Sequence, residues 1–262
     1  MKIVVISDLH VGSIFAPFPP DFKTKEGNRV GLNKGQMKLY KDFLKFKKEI
    51  KEFNPDIILL LGDLVQGYNP KEFGQLVMPC DLVDQAEAVV YLLQDICEKK
   101  MVFGVPGTLY HKGVEFHPEK VITEKLGGKY FSYGVKTLLI EKFYVNIGHG
   151  ATGSNLYKLF VLERESMFVK LSEYMKKISP IDIIIRGHLH WAGFFYLPNL
   201  KIFYLQNPCW QAWFPIKKSL RYFGLYQPDI GGIFLEIPSQ KDFNKIRVSF
   251  KLYENPKMEL FV

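Results

Sequence analysis

The chain has 262 residues, 47% of them hydrophobic, a formal charge of +8 and a pI of about 9.1. That length supplies the core of one large α/β domain, expected to span 1–262, and the longest aliphatic run, residues 57–61, is far too short to cross a bilayer. Three scattered cysteines, Cys80, Cys97 and Cys209, argue against a disulfide framework or a thiolate zinc site.

Met1 leads into the β-branched run of residues 1–7, read as a strand covered on both faces. No signal peptide is evident, so a soluble, cytoplasmic protein with no membrane partner is expected. Asp8 and His10 follow, and an extended backbone would turn both side chains to one side. A long loop from Gly12 to Gly35 either caps a cleft or packs its aromatic residues. Leu39, Phe43, Phe46, Ile50 and Phe53 recur at helical spacing over 35–53, with lysines on the solvated face. Residues 56–61 read as a buried strand ended by Gly62-Asp63. A helix over about 81–99 and a strand over 101–105 lead to Gly107-Thr108.

The second half keeps this rhythm. A short helix near 118–126, entered at His117 and closed by Gly127-Gly128, precedes strands at about 130–140 and 142–147, then Gly148-His149. A long helix over roughly 155–178 gives way to a strand ending at Arg186 and Gly187-His188-Leu189-His190. Strands are expected at about 200–205, 232–237 and 245–253. The pattern predicts an α/β fold in which two mixed sheets pack as a sandwich flanked by helices.

Five of the six histidines therefore stand in short clusters that follow apolar, strand-like runs. Aspartate and histidine are costly to bury unless paired or bound to metal, and ligands collect beyond the carboxyl ends of strands in open α/β sheets. Taken singly, each histidine suits a structural role; in register they point to a two-metal hydrolase. Oxygen and imidazole donors without thiolate suit divalent transition-metal ions, with Mn, Fe, Zn, Ni and Co all open.

Asp8-x-His10, Gly62-Asp63, Gly148-His149 and Gly187-His188-x-His190, in that order, resemble the calcineurin-like metallophosphoesterase superfamily over about 1–190. The remainder, 191–262, would add C-terminal strands and a substrate-facing loop. The resemblance implies a double β-sandwich flanked by helices and two metals bridged by a hydroxide and one aspartate. It implies that Asp8, His10 and His190 hold the first metal, His149 and His188 the second, and that Asp63 bridges and is catalytic. Two such cations, about 3.5–4 Å apart, activate a water and neutralise phosphoryl charge.

One motif departs from the family. Where an Asn-His pair is usual, this chain has Gly107-Thr108-Leu109-Tyr110-His111, a Gly-Thr-x-x-His version similar to a sub-branch in viral and archaeal proteins. His111 is then either the general acid toward the leaving oxygen, the reading we favour, or the missing ligand of the second metal, with Thr108 a further candidate ligand.

Arg186 is a candidate phosphate contact, with a salt-bridged strand end its alternative. Lys217, Lys218 and Arg221, near Trp210, Trp213, Phe214 and Tyr222, suggest a basic aromatic substrate surface, weighed against a solvated loop over core aromatics. The expected activity is metal-dependent hydrolysis of phosphodiesters or monoesters. A DNA or RNA nuclease is the competing enzyme, favoured by the basic charge, although lysine-rich surfaces also occur without nucleic-acid roles. A non-catalytic binding scaffold is the alternative of another class.

Overall fold

The computed structural model describes residues 1–68, 74, 76–112, 117–150, 158–212 and 227–256. Its first sheet runs β11-β10-β1-β2-β3-β4, and its second runs β5-β6-β7-β9-β8. In the first, β1 (Lys2–Ile6), β2 (Ile57–Leu60), β3 (Met101–Gly104) and β4 (Lys129–Tyr130) are parallel, while β10 (Ile230–Glu236) and β11 (Arg247–Tyr253) add on antiparallel. In the second, β6 (Phe143–Gly148), β7 (Ile183–Arg186) and β9 (Ile202–Gln206) are parallel, with β5 (Val135–Ile140) and β8 (Gly193–Leu197) antiparallel at the edges. Both sheets are mixed, as expected.

Period-two alternation between two covered faces explains why β1 from Ile3 onward and all of β2 are apolar. Val4, Ile6, Ile58 and Leu60 face a core beneath α1 (Lys34–Phe53) and α2 (Leu82–Cys97). Ile3, Val5, Ile57 and Leu59 face the other way, onto Val145, Ile147, Ile183 and Leu205 of the second sheet. The far side of that sheet receives Leu162 of α5 (Lys158–Tyr174). Four layers result, in the order helix, sheet, sheet, helix.

Helix α1 buries Leu39, Phe43, Phe46 and Ile50, and Asn33 opens it with a capping box: its side chain accepts from Gln36 N at 2.8 Å while Gln36 Oε1 accepts from Asn33 N at 3.1 Å. The Gly12–Gly35 loop packs into the same core through Phe15 and Phe18, both almost fully buried. Its aromatic residues are packing groups. Burial also pushes the Cys80 and Cys97 thiols up to about 12, which leaves them inert.

Three features differ from the sequence reading. Strand β8 comes from a segment read as connection. The apolar stretch over 130–140 divides into β4 and β5, and a four-residue helix, α3 (Leu109–Lys112), follows Thr108. Helix α4 (Pro118–Lys125) begins at His117 as expected, with Gly127 at φ +74° just past its end. Among the described residues, no helix is long and apolar enough to cross a membrane.

Candidate metal centre

Backbone pairing continues beyond the ends of β1 and β2 and aligns two motif loops. Asp8 N donates to Gly62 O at 3.0 Å, His10 N to Asp63 O at 3.1 Å and Val11 N to Leu64 O at 3.0 Å. Gly62 has φ +82°, and a Cβ there would lie 2.6 Å from Gly107 Cα, so its bare backbone admits the β3 loop. The second sheet joins through His188, whose backbone N–H donates to Asp8 Oδ2 at 3.0 Å.

The candidate ligand side chains do not converge through extended backbone. Asp8, His10, Asp63, His188 and His190 have φ of 52°, 47°, 48°, 74° and 56°, left-handed conformations that cost energy and cluster at functional sites. The strand ends at Ile6, so alternate strand geometry does not explain the placement of Asp8 and His10.

Three overlapping groups have ligand atoms within 4.8 Å of one another: Asp8, His10 and His190; Asp63, His149 and His188; and His10, Asp63 and His111. His190 Nε2 lies 3.2 Å from both Asp8 Oδ1 and His10 Nε2. His149 Nε2 lies 2.9 Å from Asp63 Oδ2. Its Nδ1 is held 2.7 Å from Leu61 O, the outer hydrogen bond that fixes a ligating imidazole.

His111 lies beside His10, with ring centroids 4.6 Å apart, and its Nε2 is 3.8 Å from Asp63 Oδ2. It groups with His10 and Asp63 rather than with His149 and His188. Its Nδ1 lies 2.6 Å from Gln66 O. Thr108 turns to the carboxylate: its backbone N–H donates to Asp63 Oδ1 at 2.6 Å, and its hydroxyl is 3.2 Å from both oxygens.

Electrostatics divide the cluster. Burial opposes ionisation of Asp8 and Asp63, but His149 and the other histidines hold both carboxyls below their ordinary range. Burial likewise opposes charge on His149, yet Asp63 and Asp8 raise it to about 9. His190 rises well above its ordinary value because the Cys209 thiol and Asp8 outweigh its burial. His10 is held low by burial, then by His111 and His190; His188 is held low by burial and His149.

The donor set fits metal ions. It contains imidazole and carboxylate donors, His149 Nε2 meets the Asp63 carboxylate, and His10 Nδ1 is buried without a hydrogen-bond partner. Facing imidazole nitrogens beside a carboxylate gain most from a cation among them.

Two candidate substrate contacts are corrected. Arg186 turns its guanidinium into the protein, where Nη2 donates to Glu165 Oε1 at 2.7 Å and Asn146 Oδ1 at 2.6 Å, and Nη1 to Asn146 O at 3.1 Å. The strand-end ion pair is the arrangement found. Trp210 is fully buried, 4.7 Å between ring centroids from Phe43, so it forms no part of a substrate surface. Lys217, Lys218 and Arg221, with Trp213, Phe214 and Tyr222, lie outside the described residues. Sequence reasoning missed Cys209 beside His190, and the carbonyls of Leu61 and Gln66; backbone acceptors leave no residue-type signal.

Residues 1–107 match the calcineurin-like phosphoesterase family model, which bears out the resemblance read from the motifs. His149, His188 and His190 lie beyond the matched stretch. No curated protein matches. Among solved structures, Vps29 from Chaetomium thermophilum is 13% identical with a TM-score of 0.45, covering 100% of this chain and 98% of its own. A Vps29 single mutant from Entamoeba histolytica is 13% identical at 0.44, covering 97% and 100%. A conserved uncharacterized protein from Streptococcus pneumoniae is 13% identical at 0.42, covering 96% and 88%.

Proposed function

We propose, from the calcineurin-like phosphoesterase match over residues 1–107, that this chain is a metal-dependent phosphoesterase acting on phosphodiesters in preference to monoesters. On this reading, residues 1–262 form one domain acting in the cytoplasm. The observation that carries it is the meeting of three candidate ligand groups, the outer two joined to the middle one through His10 and through Asp63.

Asp8, His10 and His190 would hold one divalent ion and His149 and His188 the other, with Asp63 between them. Bound there, two cations, manganese by preference, would lower the pKa of a water and neutralise charge on the phosphoryl oxygens.

The chain's own residues do the rest. Thr108 holds Asp63 through its N–H and hydroxyl. Leu61 O fixes the tautomer of His149, so that Nε2 faces the centre. Gln66 O accepts the Nδ1 proton of His111 likewise, and His111 as the imidazolium gives its Nε2 proton to the departing alkoxide or phenoxide, ending as the neutral Nδ1–H ring. That role suits its place beside His10, away from the His149 and His188 pair.

The test is metal content together with turnover of aryl phosphodiester and monoester, with added Mn²⁺, for wild type and Asp63→Asn. Bound metal, with hydrolysis lost in the variant, is the expected result. A protein inert with every divalent metal would overturn the reading. It would favour a non-catalytic scaffold instead, the reading suggested by Thr108 in place of the family's asparagine.

A further inference from the structure

A cleft of about 920 Å³ reaches the candidate metal centre, with His149 and Thr108 among its lining residues. That volume lies within the range of small-molecule sites. Its outer wall is apolar and uncovered among the described residues: Leu109 is 68% exposed, Phe168 62%, Val135 52% and Tyr110 46%. Single exposed apolar side chains are ordinary, but a set of them gathered around one concavity marks a binding surface.

The charged groups in the cleft differ in what they are free to do. Glu165 and Arg186 are bound to each other, and Tyr204 Oη donates to Glu165 Oε2 at 2.8 Å. Arg164 is exposed, lines the same cleft and makes no ion pair among the described residues. It stands four residues before Phe168 on α5, so the two share one helix face. A guanidinium and a phenyl ring on one helix face, in a cleft that Leu109 also lines, offer flat groups to whatever enters.

Resting on the phosphoesterase reading, we infer that this cleft seats a planar aromatic group carried by the phosphoester. Leu109 and Phe168 contact its faces and Arg164 stacks on its π-system. Specificity would then lie in α3 and α5 rather than in the metal ligands, which touch only the phosphoryl end.

Phenylphosphonate and methylphosphonate are the probes, titrated by calorimetry against Mn²⁺-loaded protein, its Phe168→Ala and Arg164→Gln variants, and the double variant. Wild type should bind the phenyl compound at least about ten-fold more tightly, from the apolar area covered. The double variant should lose most of that preference while keeping its metal content and its affinity for methylphosphonate. Equal affinities in wild type, or a preference unchanged in the double variant, would overturn the inference alone. If metal-loaded protein binds neither phosphonate, the phosphoesterase reading fails and this inference falls with it.

Discussion

His111 and His149 aim Nε2 at the same atom, Asp63 Oδ2, from 3.8 and 2.9 Å, while each anchors Nδ1 on a backbone carbonyl. One carboxylate is thus addressed from two sides by imidazoles with the same outer support. The difference is in their neighbours: His149 packs beside His188, and His111 beside His10.

His111→Ala should retain its bound metal and lose about 10²-fold or more in turnover, the usual scale of a general acid. Metal analysis and kcat on the same preparation check this. An aryl ester with a good leaving group should recover much of the loss, because its oxygen needs less protonation to depart. Loss of an ion from His111→Ala would instead make the residue a ligand.

On the proposed metal-binding reading, the raised pKa of His149 would set a pH dependence for metal uptake. A metal ligand must be neutral, and in the metal-free protein this ring keeps its proton up to about pH 9. Uptake at pH 7 should therefore release protons, and apparent affinity should climb between pH 7 and 9, as calorimetry in buffers of different ionisation heat would show. For the metal-free fold the sign is opposite. A folded pKa above the ordinary 6.5 stabilises fully below that value and loses the stabilisation as pH rises through about 9. In Asp63→Asn the His149 titration, followed by NMR, should move downward, since burial then meets less opposing charge.

Gly107→Ala should strip the centre while leaving most of the fold intact. A Cβ at this position would overlap both Asp63 Oδ1 and the Asp63 backbone nitrogen and approach Asp63 Cα to 3.0 Å. The carboxylate and its backbone must move, and overpacking of this kind costs roughly 1–3 kcal/mol. Metal content and thermal midpoint should fall together, whereas Thr108→Ser, which keeps the hydroxyl, should hold both near wild type.

Arg186→Ala should act on stability and not on substrate affinity. Its removal leaves Asn146 and part of Glu165 without their partner at a strand end where Arg186 is 4% exposed. A loss of about 1–3 kcal/mol in denaturant unfolding is expected, with KM for an aryl diester within about two-fold of wild type. A large KM change at unaltered stability would return Arg186 to a phosphate-contact role.

Local pattern made much of the fold legible. A β-branched run buried on both faces can only be a covered strand, so β1, β2 and β7 stand where alternation and turn residues place them. Helix α1 was equally readable, because its apolar stripe is local; its Asn33 cap was not read. Edge strand β8 was not: its partial burial depends on β9 beside it, and its own residues alternate weakly.

By itself the sequence determined which donors end which strands, and so the membership of the cluster from Asp8 to His190. Tertiary structure decided their use. Left-handed backbone at five of these residues is tolerated only because neighbouring loops hold it, as when His188 N reaches Asp8 across 180 residues. The partners of His111, the inward turn of Arg186 onto Glu165 and the burial of Trp210 against Phe43 likewise depend on segments distant in the chain. Spacing along a chain fixes the direction of a side chain within its own element; what that side chain meets is set by the packing of the others.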